Sequence, residues 1–467
     1  MLFNSIEFLI FLVIVFIFYY APFSSEYQIQ IIIISSLIFY SFGFPILVFL
    51  LFSSSAINAG TSYLITYGKE SIRKKIAILG VLTNLGLLIF FKYSGLLAKT
   101  FFIDDTSLGK FLISIPLPVG ISFFTFQGIS LLIDVYSQKY FPRQEVVEKT
   151  FKNHFSNVIF FISFFPQLVA GPIVKAHDFL YQIDRKKFTS IKWEESFRAI
   201  IIGYFLKTVV ADNLRQFTFW IQFPYFDTKS SFTLLSLLFG YSFQIFADFA
   251  GYSSIAIGIS KLFGYDLKVN FLFPYISTSF KEFWKRWHIS LSSFLMEYLY
   301  IPLGGNRKGR WRTYLNLMLT MFIGGLWHGA AWSYALWGLV HGAALTIERA
   351  FNLDSIRQNC RIYKISYGLI VFFFVTFAWI FFQLPDINDA TRLFQALSRN
   401  WSLPNSYDLI ISIVVYSSPV ILYHMHYLMR RAGNQMFENF QFIAFGTMVF
   451  LIIVNRGFPG SFIYFQF

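Results

Sequence analysis

The stretch FKEFWKRWHISLS at residues 280–292 decides how this chain is read, together with GGNRKGR at 304–310, GLWHGA at 325–330 and GLVHG at 338–342. His288 and His328 sit among tryptophans in a segment otherwise built from lipid-compatible residues. Ionisable groups in apolar surroundings are expensive, so their presence points to chemistry or transport. If residues 310–350 formed one helix it would be about 60 Å long, about twice the hydrocarbon thickness of a bilayer. The segment therefore breaks, and Gly324-Gly325 with Gly329 offers the place. His328 then stands at the break, about 24 Å beyond the basic loop if the intervening stretch is straight helix. An imidazole titrates near neutrality and can take a proton from an alcohol or thiol. The competing reading of a Trp-His pair is a packed histidine that donates to a backbone carbonyl.

Composition sets the class. The chain is 56% hydrophobic and 13% charged, with 63 Phe and 27 Tyr, about half the charged share of a soluble domain. Apolar runs recur from end to end. Each spanning helix needs about 20 apolar residues, and backbone groups in lipid must be satisfied within their own element. The fold class expected is an all-α polytopic membrane protein of about eleven crossings, with re-entrant pieces. A β-barrel would show alternating segments instead of continuous apolar runs. Candidate spans cover residues 8–21, 30–42, 46–67, 76–91, 118–136, 155–169, 199–210, 232–246, 318–326, 334–347, 367–382, 409–423 and 442–454. Gly43 and Pro45 break one long apolar run in two. No repeat and no low-complexity linker is visible, so residues 1–467 read as a single membrane domain with its core at about 118–350.

Net charge is +14, but the charges cluster beside apolar runs. That pattern indicates topology and lipid head groups; no RNA- or DNA-reading motif is present. The basic loops at 69–75 and 139–152 fall on one side, as expected of the cytoplasm. Arg185–Lys192 and Asn306–Arg312 are further cytoplasmic candidates. The opening MLFNSIE has no basic region and no small-residue cleavage site, so the first apolar run is expected to be retained. The single Cys360 excludes a disulfide framework and reads as a bystander.

The other polar residues are weighed singly. His288 follows Trp284-Lys285-Arg286-Trp287. Such a run is either an interfacial helix with snorkelling cations or a re-entrant helix carrying His288 into a cavity. His341, thirteen residues after His328, would lie about 140° around and about 20 Å along one straight helix, so it reads as structural. His424 and His426 face opposite ways on a helix, and His154 and His177 lie near loops. No metal-ligand spacing occurs, and a metal site is not expected. Asp248 in FQIFADFAGYS must find a partner or stay protonated, because a carboxylate at a helix centre costs roughly 2.5–3.5 kcal/mol. Gln127, Gln167 and Asn316 are amides of the kind that tie helices together. There is no phosphate-cradling loop, no dinucleotide fingerprint and no Gly-x-Ser-x-Gly elbow.

Taken together, these blocks resemble the membrane-bound O-acyltransferase (MBOAT) superfamily, in its bacterial alginate and peptidoglycan O-acetylation branch. The matching residues are PVGISFFTFQ at 118–127, FPQLVAGPI at 165–173, the Asp248 block, the His288 block with YIPLGGNR at 300–307, and the His328 block. The opening MLFNS and the closing FIYFQF at 462–467 also look like this branch. The resemblance implies a ring of helices around a central tunnel. It implies His328 as the invariant histidine and His288 as the second, more variable active-site position. Trp284, Trp287, Trp327, Asp248, Gln127, Asn306 and Arg307 become candidates for the tunnel lining.

The same resemblance implies acetyl-CoA as the acyl donor substrate, no bound cofactor, and residence in the cytoplasmic (inner) membrane. It further implies an extracytoplasmic SGNH-hydrolase-like partner that passes the acetyl group to a polysaccharide hydroxyl. Two departures stand out. Leu295-Met296-Glu297-Tyr298 replaces a Leu-Arg-Asp-Tyr pattern and loses a cation. Ser254 stands where an aspartate is common. D-alanyl transfer to teichoic acid, transport of a lipid-linked glycan without chemistry, and a scaffold that only recruits a transferase remain the alternatives.

Overall fold

A computed structural model describes residues 1–101, 103–169, 171–353, 361–433, 441–460 and 462–463. Ala170, Cys360 and residues 464–467 lie outside these. Among the described residues the chain is helical, with no strand. It divides into two compact units, Met1–Ile200 with Ile255–Lys268, and Ile201–Ser254 with Val269–Phe467.

In the first unit, α1 (Ile6–Tyr20) starts where the Ser5 hydroxyl accepts from the Phe8 N–H at 3.2 Å. It stops before Pro22 and bends 93° into the segment that holds α2 (Gln28–Ser41). Gly43 and Pro45 then separate α2 from α3 (Leu47–Tyr67), as their sequence predicts. Next come α4 (Arg73–Leu88), α5 (Ile121–Ser137) and α6 (Phe151–Ser163). Lipid tails offer no hydrophobic drive between helices, so amides and small residues do the joining. Asn58 on α3 and Asn84 on α4 exchange amide bonds at 3.1 and 2.9 Å. Gly128 on α5 makes room for them, since a Cβ there would come within 2.5 Å of the Asn58 amide.

The helix α7 (Trp193–Tyr204) runs on through a π-helical turn, Phe205–Ala211, into Asp212–Thr218. The longest helix is α8 (Ser231–Leu262). It extends well past the expected end at residue 246, and Gly251 and Gly258 within it leave room for neighbouring backbone to approach closely. In the second unit follow α9 (Phe280–Arg286), α10 (Ile289–Leu295), α11 (Gly309–His328), α12 (Trp332–Ala350), α13 (Arg361–Gln383), α14 (Ile387–Arg399), α15 (Tyr407–Arg431) and α16 (Gln441–Val454).

By length and composition five of the described helices qualify as full spans, or six when the bent α1–α2 pair counts as one. The about eleven crossings read from the sequence include pieces such as α5 and α16, which are apolar but only 17 and 14 residues long. Short helices of this kind are stable at membrane depth only where protein satisfies their ends.

Candidate active site

The His288 turn is built by local capping. The Ser279 hydroxyl accepts from the Glu282 N–H at 2.9 Å and starts α9. Glu282 in turn accepts from the Thr278 N–H at 2.9 Å and the Thr278 hydroxyl at 2.8 Å, and pairs with Arg286 one turn on at 2.9 Å. Burial opposes the ionised form of Glu282, but these bonds outweigh it and hold the carboxyl below the usual glutamate value. A second carboxylate completes the cap. Glu348 on α12 accepts from the Phe280 N–H at 2.7 Å and the Lys281 N–H at 3.3 Å, where the dipole of α9 favours negative charge. The helix ends at Trp287 in extended conformation, and His288 adopts a left-handed φ of 44° before α10 begins.

The His328 turn is built by glycine. The chain breaks directly after His328, at residues 329–331, and α12 returns alongside α11. The two helices touch at backbone level. A Cβ on Gly338 would sit 2.1 Å from the Met321 carbonyl, and one on Gly325 would sit 2.2 Å from the Tyr334 carbonyl. His328 and His341 therefore lie on opposite arms of a hairpin with Trp337 between them, its ring 5.1 Å from one imidazole and 4.8 Å from the other.

These two turns bring His288 and His328 together, with ring centroids 6.0 Å apart. Both are buried. Trp327 contacts both imidazoles, at 5.8 Å and 5.1 Å. Phe249 on α8 meets His288 edge-on at 4.6 Å, and Phe382 on α13 meets His328 at 5.3 Å. The Nδ1 of His288 lies 3.1 Å from the Asn270 side-chain oxygen.

A cavity of about 760 Å³ opens onto His328. Its buried end is His328 and Trp337, with Trp284 alongside; its exposed end carries Lys281, Lys285, Arg349 and Asn306. The walls between are apolar, from Leu295, Met296 and Met321. Such a shape takes a ligand with an anionic head and a thin, mostly apolar arm.

A second cavity in the same unit, of about 220 Å³, is lined by Lys207, Asp212, Arg215, Gln222, Gln244, Asp248 and Gln383. Lys207 projects from the π-helical turn and bridges Asp212 and Asp248, each at 2.7 Å. Asp248 also accepts from the Ile463 N–H at 2.8 Å, and Lys207 donates to the Gly460 carbonyl at 3.3 Å. The cluster thus ties α7, α8 and the closing segment together. Its cavity residues Asp248 and Gln383 are the chain neighbours of Phe249 and Phe382, which pack on the two imidazoles.

Each residue singled out by sequence has a definite place. His328, Trp284 and Asn306 line the larger cavity, and His288 and Trp327 stand directly behind its inner end. Trp287 lies deeper, against Phe283, Phe271 and Trp379. Asp248 lines the polar cavity, and Arg307 is exposed in the loop before α11. Gln127 belongs to the first unit, where its amide and that of Gln167 both donate to the Phe161 carbonyl at 2.9 Å. Three of the other histidines have structural bonds. The His424 Nδ1 donates to the Val420 carbonyl at 2.8 Å, His154 meets the Ser62 hydroxyl at 2.8 Å, and His177 pairs with Asp134 at 2.8 Å. Among the described residues no group of three or more His, Cys, Asp or Glu is placed to hold a metal.

Lys207, Asn270, Trp337, Glu348, Lys281 and Arg349 were not singled out by sequence, and Lys285 was read there only as one of the cations beside His288. Lys207 was detectable, since a lysine inside FLKTVVA is the same kind of costly residue as Asp248. Asn270 carries no such signal.

The sequence pattern of the MBOAT, membrane-bound O-acyltransferase family matches residues 106–385. The chain is 36% identical over 388 residues to a peptidoglycan O-acetyltransferase of Helicobacter pylori, covering 78% of this chain and 73% of that protein. It is 35% identical over 407 residues to the probable alginate O-acetylase AlgI of Pseudomonas aeruginosa, covering 85% and 75%. A teichoic acid D-alanyltransferase of Bacillus subtilis is more distant, at 28% over 244 residues, covering 50% and 59%. The match over residues 106–385 and these relatives make this helical, multi-pass membrane chain an acyltransferase of the membrane-bound O-acyltransferase family.

Proposed function

We propose that this protein moves an acetyl group from cytoplasmic acetyl-CoA across the inner membrane for O-acetylation of an extracytoplasmic polysaccharide, through an SGNH-hydrolase-like partner. The observation that carries the reading is His328 at the buried end of a cavity whose exposed end holds Lys281, Lys285 and Arg349. Those cations suit the phosphates of CoA. The apolar walls suit the arm that carries the thioester. Charged CoA then need never enter lipid, while the acetyl group alone reaches the imidazoles.

In the reaction His328 takes the proton from the attacking hydroxyl as its oxygen bonds to the thioester carbonyl. The tetrahedral intermediate collapses with loss of the CoA thiolate, which takes the proton back from His328. His288, 6.0 Å away ring to ring, orients the acceptor or the acyl carbonyl. General base catalysis of this kind contributes about 10²–10⁴-fold. Relatives named for peptidoglycan and alginate O-acetylation support a surface glycan as the acceptor class. The polar cavity beside Phe249 and Phe382 suits a hydroxyl-bearing acceptor. The test is transfer of label from acetyl-CoA to glycan in membrane vesicles containing the partner. Wild-type turnover by His328→Ala at equal protein level overturns the proposal. D-alanyl transfer would instead require an acylated carrier protein, and label from acetyl-CoA would not be transferred.

A further inference from the structure

We propose that Asn270 is a positioning residue that holds His288 as its Nδ1–H tautomer, so that Nε2 orients the acceptor by accepting a hydrogen bond from a second donor on it, while the attacking hydroxyl gives its proton to His328. The inference rests on the acyl-transfer reading and decides between the two roles open to His288 within it.

The Ser290 N–H points at one atom of the Asn270 amide, 3.2 Å away. A main-chain N–H can only donate, so that atom is the oxygen. The amide nitrogen then faces the Ser253 hydroxyl at 3.2 Å, which accepts. The Nδ1 of His288 lies 3.1 Å from the same oxygen; the Ser290 hydroxyl, 3.5 Å from Nδ1, gives its hydrogen to the nearer Asn270 oxygen at 2.9 Å, so Nδ1 carries the proton. A neutral imidazole has one N–H, and the lone pair is left on Nε2. A lone pair cannot donate to an acyl carbonyl; it accepts a hydrogen bond from the acceptor, which leaves orientation of the acceptor as the role of His288.

The backbone enforces the same orientation. His288 sits at a left-handed φ of 44°, which persists in a non-glycine residue only where surrounding structure holds it. The Asn270 carbonyl accepts the Ile289 N–H at 2.9 Å, and the Ser290 hydroxyl donates to the Asn270 side-chain oxygen at 2.9 Å. Asn270 thus grips the turn by main chain and side chain together, and both residues are at most 1% exposed. Exchanging the tautomer would put two acceptors face to face in a dry site, and turning the ring over would put a carbon in place of the Nδ1 donor; both are costly.

The test compares variants in vesicles given radiolabelled acetyl-CoA, with folded protein measured by detergent-solubilised size exclusion. Asn270→Leu is expected to lower kcat about 10–100-fold and leave the KM for acetyl-CoA within about twofold. Asn270→Asp keeps an oxygen against Nδ1 but loses the donor to Ser253; it is expected to retain most turnover, as is Ser253→Ala. Adding Asn270→Leu to His288→Ala should cost nothing further. Asn270→Ser replaces Asn270→Leu if the latter does not accumulate. The proposal is overturned if Asn270→Asp is as inactive as Asn270→Leu. It is likewise overturned if Ser253→Ala alone reproduces the loss, or if the losses of His288→Ala and Asn270→Leu multiply. Full activity of His328→Ala would instead overturn acyl transfer at this site.

Discussion

The imidazoles of His288 and His328 lie 6.0 Å apart, centroid to centroid, although forty residues separate them in the chain. Two unrelated devices bring this about. One is a capped helix that stops at a left-handed histidine, and the other is a glycine-lined hairpin that turns directly after a histidine. The pair is too far apart for a direct bond between rings and close enough to flank one reacting group.

The role of His328 is separable from folding. His328→Ala is expected to lower kcat at least 100-fold, the lower end of general-base effects being about 10². Its thermal midpoint in detergent should stay near wild type, because the hairpin is held by Gly325 and Gly338. Label transfer and differential scanning fluorimetry on one preparation check both parts.

Lys207 is expected to matter for stability. Lys207→Met leaves Asp212 and Asp248 buried without their cation, and breaking one side of such a cluster costs about 3–5 kcal/mol. A triple variant with Asp212→Asn and Asp248→Asn should recover much of the loss, because no unpaired charge remains. Thermal unfolding of single and triple variants decides this; equal destabilisation by both would contradict it.

The hairpin predicts unequal tolerance among its glycines. Gly338→Ala drives a Cβ to 2.1 Å from the Met321 carbonyl, whereas the first contact of Gly342→Ala is the flexible Met318 sulfur at 3.1 Å. The first is expected to cost more than about 2 kcal/mol, in the range of overpacked cores, and the second to be mild. Yield and thermal midpoint of the two proteins make the comparison.

The cations at the outer end of the large cavity should act on binding alone. Replacing Lys281, Lys285 and Arg349 together by alanine is expected to raise the KM for acetyl-CoA about tenfold, each exposed charge being worth up to about 1 kcal/mol. The kcat should be unchanged, as for loss of uniform binding. The salt dependence of KM should weaken, since exposed charges are screened at about 10 Å in 0.1 M salt. A fall in kcat with KM constant would contradict it.

Much of the site was legible because its signals are local. A basic run against tryptophans, a glycine pair before Trp327-His328, and a segment too long to cross a bilayer unbroken located the break at which His328 stands. The opposing Asp248 signal was readable, and the unread Lys207 carried the same one. His341 read as structural because on one straight helix it would lie far from His328; the helix instead folds back, and Trp337 packs against both rings.

Composition and the spacing of Gly and Pro alone determined that this chain is helical, crosses a membrane and breaks beside His328, because each of those follows from the cost of exposing polar backbone to lipid. Only the tertiary structure decided that Lys207 neutralises Asp248, that Glu348 caps the helix leading to His288, and that Asn270 grips the His288 turn. These are pairings between residues distant in sequence. Their energy depends on which elements come to lie side by side, and no local pattern records that.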